Sequence, residues 1–67
     1  MNPVIEVYDL RIGRQQSDAV YALRMSTKAA RLERPADERY WWDRADALLD
    51  GVAVLQAGRA AEMAARP

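Results

Sequence analysis

Residues 36–55, ADERYWWDRADALLDGVAVL, decide the reading of this chain. Trp41, Ala45, Leu48, Val52 and Leu55 follow one another at alternating intervals of four and three. On a helix that spacing holds them on one face. Pro35 or Ala36 suits the first helical position, and Asp37 and Glu38 sit in the first turn, where carboxylates meet the positive end of the helix dipole. The stretch therefore predicts the opening of a long amphipathic helix over 36–66. A stripe of small residues, Ala47, Gly51, Val54, Gly58, Ala61 and Ala65, lies about 100° round the same helix. One face is large, the other small, and each needs a surface to pack on.

Upstream, Glu33-Arg34-Pro35 interrupts any helix, because the residue before proline is pushed out of the helical region. A first, shorter helix is predicted over 17–33, with Ser17 or Asp18 as its cap. Its inward stripe is Ala19, Leu23, Ser26 and Ala30, with Val20 and Thr27 beside it, while Tyr21, Met25 and Leu32 fall on a neighbouring face. The turn between the helices is short, and short turns join antiparallel neighbours.

Residues 1–14 carry conflicting signals. Val4, Ile5, Val7, Tyr8 and Ile12 are β-formers. Asn2 as a cap, Pro3 at a first helical position and Gly13 as a stop describe a helix instead. The β-formers are given the greater weight, and the segment is read as an extended arm. The expected fold is all-α: an arm, a short helix, a proline turn and a longer helix, forming one domain over residues 1–67.

At 67 residues the chain buries only about 60% of the surface its unfolded form exposes. Small scaffolds compensate with disulfides, metals or a second copy. The sequence has no Cys and no His, which removes disulfides and the usual zinc sites. Self-association remains, and two hairpins pairing into a four-helix arrangement is the expected assembly. No basic leader precedes an apolar run and no stretch approaches the roughly 20 apolar residues of a membrane span. A cytoplasmic protein without membrane contact is expected.

Ten basic and ten acidic residues cancel. Arg11, Arg14, Arg24, Lys28, Arg31 and Arg34 lie in the first half, whereas Asp37, Glu38, Asp43, Asp46 and Asp50 crowd the start of the second. Helices facing each other with opposite rims account for this more simply than a nucleic-acid surface does, since net charge is zero. Asp43, Asp46 and Asp50 share a face, but a hard-cation site draws six or more oxygens from a closed loop, and a solvated face is the simpler reading. Without His or Cys the commonest general bases and thiolate nucleophiles are missing. No glycine-rich phosphate loop or nucleophile motif replaces them. No enzyme, cofactor or small-molecule substrate is expected.

Tyr40, Trp41 and Trp42 are the most distinctive residues. Neighbours on a helix point about 100° apart, so Trp41 takes the core stripe with Ala45, Leu48, Val52, Leu55 and Leu23 of the first helix. Tyr40 and Trp42, flanked by Arg39 and Arg44, are left for a protein partner, since Trp, Tyr and Arg are the commonest interface anchors. Arg11 and Arg24 extend this candidate surface into the basic half.

In size and layout the chain resembles the small helical-hairpin proteins that temperate phages make to inhibit host regulators or machines, including those that block quorum-sensing receptors or the pilus-assembly ATPase. The short leader, the turn at Glu33-Arg34-Pro35 and the aromatic opening Tyr40-Trp41-Trp42 carry the resemblance. It implies a non-catalytic inhibitor of a host protein. A second outline, β-formers followed by two helices, is that of dimeric ribbon-helix-helix DNA-binding regulators. There Glu6, Tyr8 and Leu10, or Ile5, Val7, Asp9 and Arg11, would face the groove, each set with an acid that phosphates repel. A third reading takes Arg24, Lys28 and Arg31 as an RNA-binding face.

Overall fold

The chain forms two antiparallel helices, α1 (Pro3–Arg31) and α2 (Pro35–Ala64), in a computed structural model that describes residues 2–65. The hairpin is a rod of 54 × 16 × 9 Å. The expected arm is corrected: residues 3–31 are one continuous helix, and the described residues include no strand. The Asn2–Pro3 punctuation prevails over the β-formers. The Asn2 side chain accepts a hydrogen bond from the Val4 backbone N–H at 2.9 Å, satisfying one of the donors a helix start leaves unpaired. Gly13 is not a stop and Ser17 and Asp18 are not caps; all three lie inside α1. The helices consequently differ in length by one residue, 29 and 30, with no overhang. Arg66, the expected end of the second helix, lies outside the described residues.

Both helices present a seven-residue repeat to each other. Along α1 the positions turned inward are Ile5, Tyr8, Ile12, Gln15, Ala19, Ala22, Ser26 and Ala29, at alternating intervals of three and four. Along α2 they are Glu38, Trp41, Ala45, Leu48, Val52, Leu55, Arg59 and Glu62. This is the spacing of an antiparallel coiled coil. The expected α2 stripe holds: Ala45, Leu48 and Val52 are buried, Trp41 and Leu55 half-buried. The α1 stripe is rotated from the expected one. Ala22 and Ala29 are buried with Ala19 and Ser26, Leu23 is half-buried against the cluster, and Ala30 is exposed.

Size explains the pairing. The α1 seam runs from large residues at its N-terminal half to Ala and Ser at its C-terminal half, and α2 carries Trp41 near its start and Gly51 and Gly58 beside its seam further on. Antiparallel packing sets large against small at both ends. At the turn-proximal end Ala19, Ala22, Ala45 and Leu48 form the core with Trp41 and Leu23 packed on it. At the other end Tyr8 lies over Gly58, where an added Cβ would stand 2.8 Å from the Tyr8 hydroxyl oxygen, and Gln15 lies over Gly51, where it would stand 2.7 Å from Oε1. Two α1 residues seven apart thus meet two α2 glycines seven apart. The glycines that weaken α2 locally admit these side chains. The Ser26 hydroxyl is satisfied within its own helix, donating to the Leu23 carbonyl at 2.7 Å. Gln15 Oε1 is buried without a hydrogen-bond partner among the described residues, a cost of about 1–3 kcal/mol.

The turn is a Schellman motif. The Glu33 N–H donates to the Ala30 carbonyl at 3.1 Å and the Arg34 N–H to the Ala29 carbonyl at 2.9 Å, the two bonds that define it. Glu33 has φ 55°, the left-handed conformation that usually selects glycine. Pro35 then starts α2, where its missing N–H costs nothing.

Candidate functional site

The residues singled out for partner binding do not form one surface. Tyr40 and Trp42 lie about 200° apart on α2, so the seam separates them onto opposite flanks of the rod. Trp41 lies in the seam between them and is held edge-on by two tyrosines. Tyr21 of α1 approaches it at 5.7 Å between ring centroids with an interplanar angle of 79°. Tyr40 does so at 5.1 Å and 85°. Both geometries match the edge-to-face preference of aromatic quadrupoles. Beside this triad runs a groove of about 470 Å³ whose walls include Tyr21, Tyr40, Trp41, Arg44 and Asp18. Tyr21 and Tyr40 are 57% and 60% exposed, so their rings are available to a partner while Trp41 anchors them from below. Arg44 makes no hydrogen bond or ion pair among the described residues.

On the opposite flank Trp42 and Arg39 line a separate depression with Pro35, Glu38 and Asp43. Arg11 is on the Tyr40 flank but near the chain termini, beside Val4, Val7 and Tyr8. The ten-residue step from Arg11 to Tyr21 places it about 15 Å along the helix from the triad. Arg24 is exposed on the outer side of α1. Tyr40 and Arg44 are therefore brought together, and Arg39, Trp42, Arg11 and Arg24 are not. Tyr21 completes the triad. Its signal in the sequence was an exposed aromatic on a helix antiparallel to the Tyr40 segment, and only the register shows that the two meet on Trp41.

The expected charge pairing is corrected as well. An inter-helix ion pair joins Asp9 of α1 to Arg59 of α2 at 2.7 Å, acid and base in the reverse of the expected order. Arg34 pairs locally with Asp37 at 2.8 Å. Asp43, Asp46 and Asp50 are exposed, and among the described residues no group of three or more His, Cys, Asp or Glu could hold a metal ion. The ribbon-helix-helix outline loses its premise, because its groove-facing residues lie within α1. Among the described residues no helix is long and apolar enough to cross a membrane.

Fold and site together define a two-helix antiparallel hairpin with an aromatic-arginine groove near its turn. No family model, curated protein or solved structure matches the chain.

Proposed function

We propose that the chain is a non-catalytic protein-interaction module that binds a larger bacterial regulator or machine in the cytoplasm and inhibits it by occlusion, acting as a homodimer of hairpins. Host takeover by a phage-encoded protein, the role implied by the resemblance in layout, is the biological setting this reading fits. The Tyr21–Trp41–Tyr40 triad beside the unpaired Arg44 carries the proposal. Exposed Tyr rings on a fixed base and a free guanidinium are the residue types that dominate binding energy at interfaces, and they fit an apolar side chain with a neighbouring carboxylate.

The test is capture of partners by the tagged full chain from bacterial lysate treated with nuclease, comparing wild type with Tyr40→Ala and Arg44→Ala. Both positions are exposed, so helicity is expected to be retained in each variant. Loss of a hot-spot contact worth about 2 kcal/mol weakens a partner roughly thirty-fold. Undiminished capture by both variants refutes the groove as the binding site. Partners that disappear with nuclease refute a protein target.

A further inference from the structure

The two flanks of the rod differ in charge, and the difference decides which of them suits a second copy of the chain. The Tyr40 flank carries Arg11, Arg14, Lys28 and Arg44 against Asp18, besides the Arg34–Asp37 pair that cancels, and two such surfaces repel. On the Trp42 flank α1 contributes an uncharged run, Gln16, Val20, Leu23, Thr27 and Ala30, while α2 contributes Trp42, Leu49, Ala53 and Gln56 with Asp46 among them, and Arg39 and Asp43, opposite in sign, beside Trp42. The Asp9–Arg59 pair and the Arg59–Met63 contact at 3.2 Å close the terminal end of this flank. Val20, Trp42 and Leu49 are 48%, 51% and 47% exposed.

The accessible area points to what covers it. The chain exposes 5236 Å², whereas a folded monomer of 7.6 kDa is expected to expose about 4,300 Å². The excess, about 900 Å², is close to the roughly 800 Å² that each partner contributes to a stable interface. Its radius of gyration, 15.4 Å, also exceeds the roughly 11 Å of a globular chain of this length. A second rod laid alongside brings both quantities towards the ordinary range.

We infer that two hairpins pair through the Val20, Leu23, Trp42 and Leu49 flank, antiparallel, with the two-fold axis near Leu49. This rests on the self-association proposed above and assigns its surface. Leu49 lies midway along α2. An axis there sets Trp42 of each copy over Ala53 and Gln56 of the other, again large against small, and displaces each Asp46 from its mate by about 9 Å along the helix. The aromatic-arginine grooves then face outward on opposite sides of the four-helix assembly, leaving both open to a target.

Sedimentation equilibrium of the full chain and cross-linking of single-cysteine variants test this together. The chain has no native Cys, so Leu49→Cys and Val54→Cys each report one position. Wild type is expected to sediment at twice the chain mass, and a short bismaleimide is expected to join Leu49→Cys into a covalent dimer in high yield while leaving Val54→Cys, on the other flank, monomeric. Leu49→Glu is expected to sediment as a monomer. A wild type that stays monomeric at high concentration overturns both self-association and the assignment. A dimer in which Val54→Cys cross-links and Leu49→Cys does not overturns the assignment alone.

Discussion

Replacing glycine by alanine is expected to stabilise the chain at position 13 and not at position 58, although both lie in helix interiors. The helical preference for Ala over Gly is about 0.8–1.0 kcal/mol. A Cβ added at Gly13 meets nothing within 4 Å, and the residue is exposed, so Gly13→Ala should realise nearly the whole difference. In a domain of this size each kcal/mol corresponds to roughly 4–8 °C in Tm. At Gly58 the same methyl would stand 2.8 Å from the Tyr8 hydroxyl oxygen and 2.9 Å from Cε1. Tyr8 must swing out of the seam, an overpacking cost of about 1–3 kcal/mol that cancels or exceeds the propensity gain. Urea and thermal unfolding followed by circular dichroism, at one fixed protein concentration because association shifts apparent stability, give both values. The cycle with Tyr8→Ala isolates the cause, since Gly58→Ala should become stabilising once the ring is gone. A Gly13→Ala variant less stable than wild type would refute the continuous α1 helix. A Gly58→Ala variant that gains as much as Gly13→Ala would refute the register.

Glu33→Gly should stabilise the hairpin by about 1 kcal/mol, because Glu33 holds a left-handed φ that costs an L-residue roughly that much; an unchanged urea midpoint would mean the turn is not a Schellman motif. Gln15→Leu, of similar length but without the buried unpaired Oε1, should raise stability by about 1 kcal/mol. A loss there, measured by the same unfolding experiment, would show that the amide is satisfied in solution.

α2 was legible because its seam residues are large. Trp41, Leu48, Val52 and Leu55 are bulky and recur at intervals of three and four with Ala45, and that spacing alone fixes the inward face. The α1 seam has the same repeat, but Gln15, Ala19, Ala22, Ser26 and Ala29 are small or polar, so no large side chain marks it. The β-branched residues before Gly13 then suggested a strand and the glycine a boundary. Packing overrides that local preference, since Ile5, Tyr8 and Ile12 reach a partner helix only if α1 continues through Gly13. The candidate site was half legible for a related reason. Helical geometry separates Tyr40, Trp41 and Trp42 in direction, but nothing local shows that Tyr21 lies against Trp41 or which α1 residues line the flank of Trp42 and Leu49.

The sequence by itself determined an all-helical hairpin hinged at Glu33-Arg34-Pro35, the inward face of the second helix and the absence of His and Cys chemistry, because proline sterics, residue spacing and composition act locally. The tertiary structure decided the length of α1, the fit of Tyr8 over Gly58 and Gln15 over Gly51, and the sorting of aromatic residues onto two flanks. Those depend on how two helices align along their length. Alignment is set by matching large side chains to small ones across the seam, a property of the pair that neither helix carries alone.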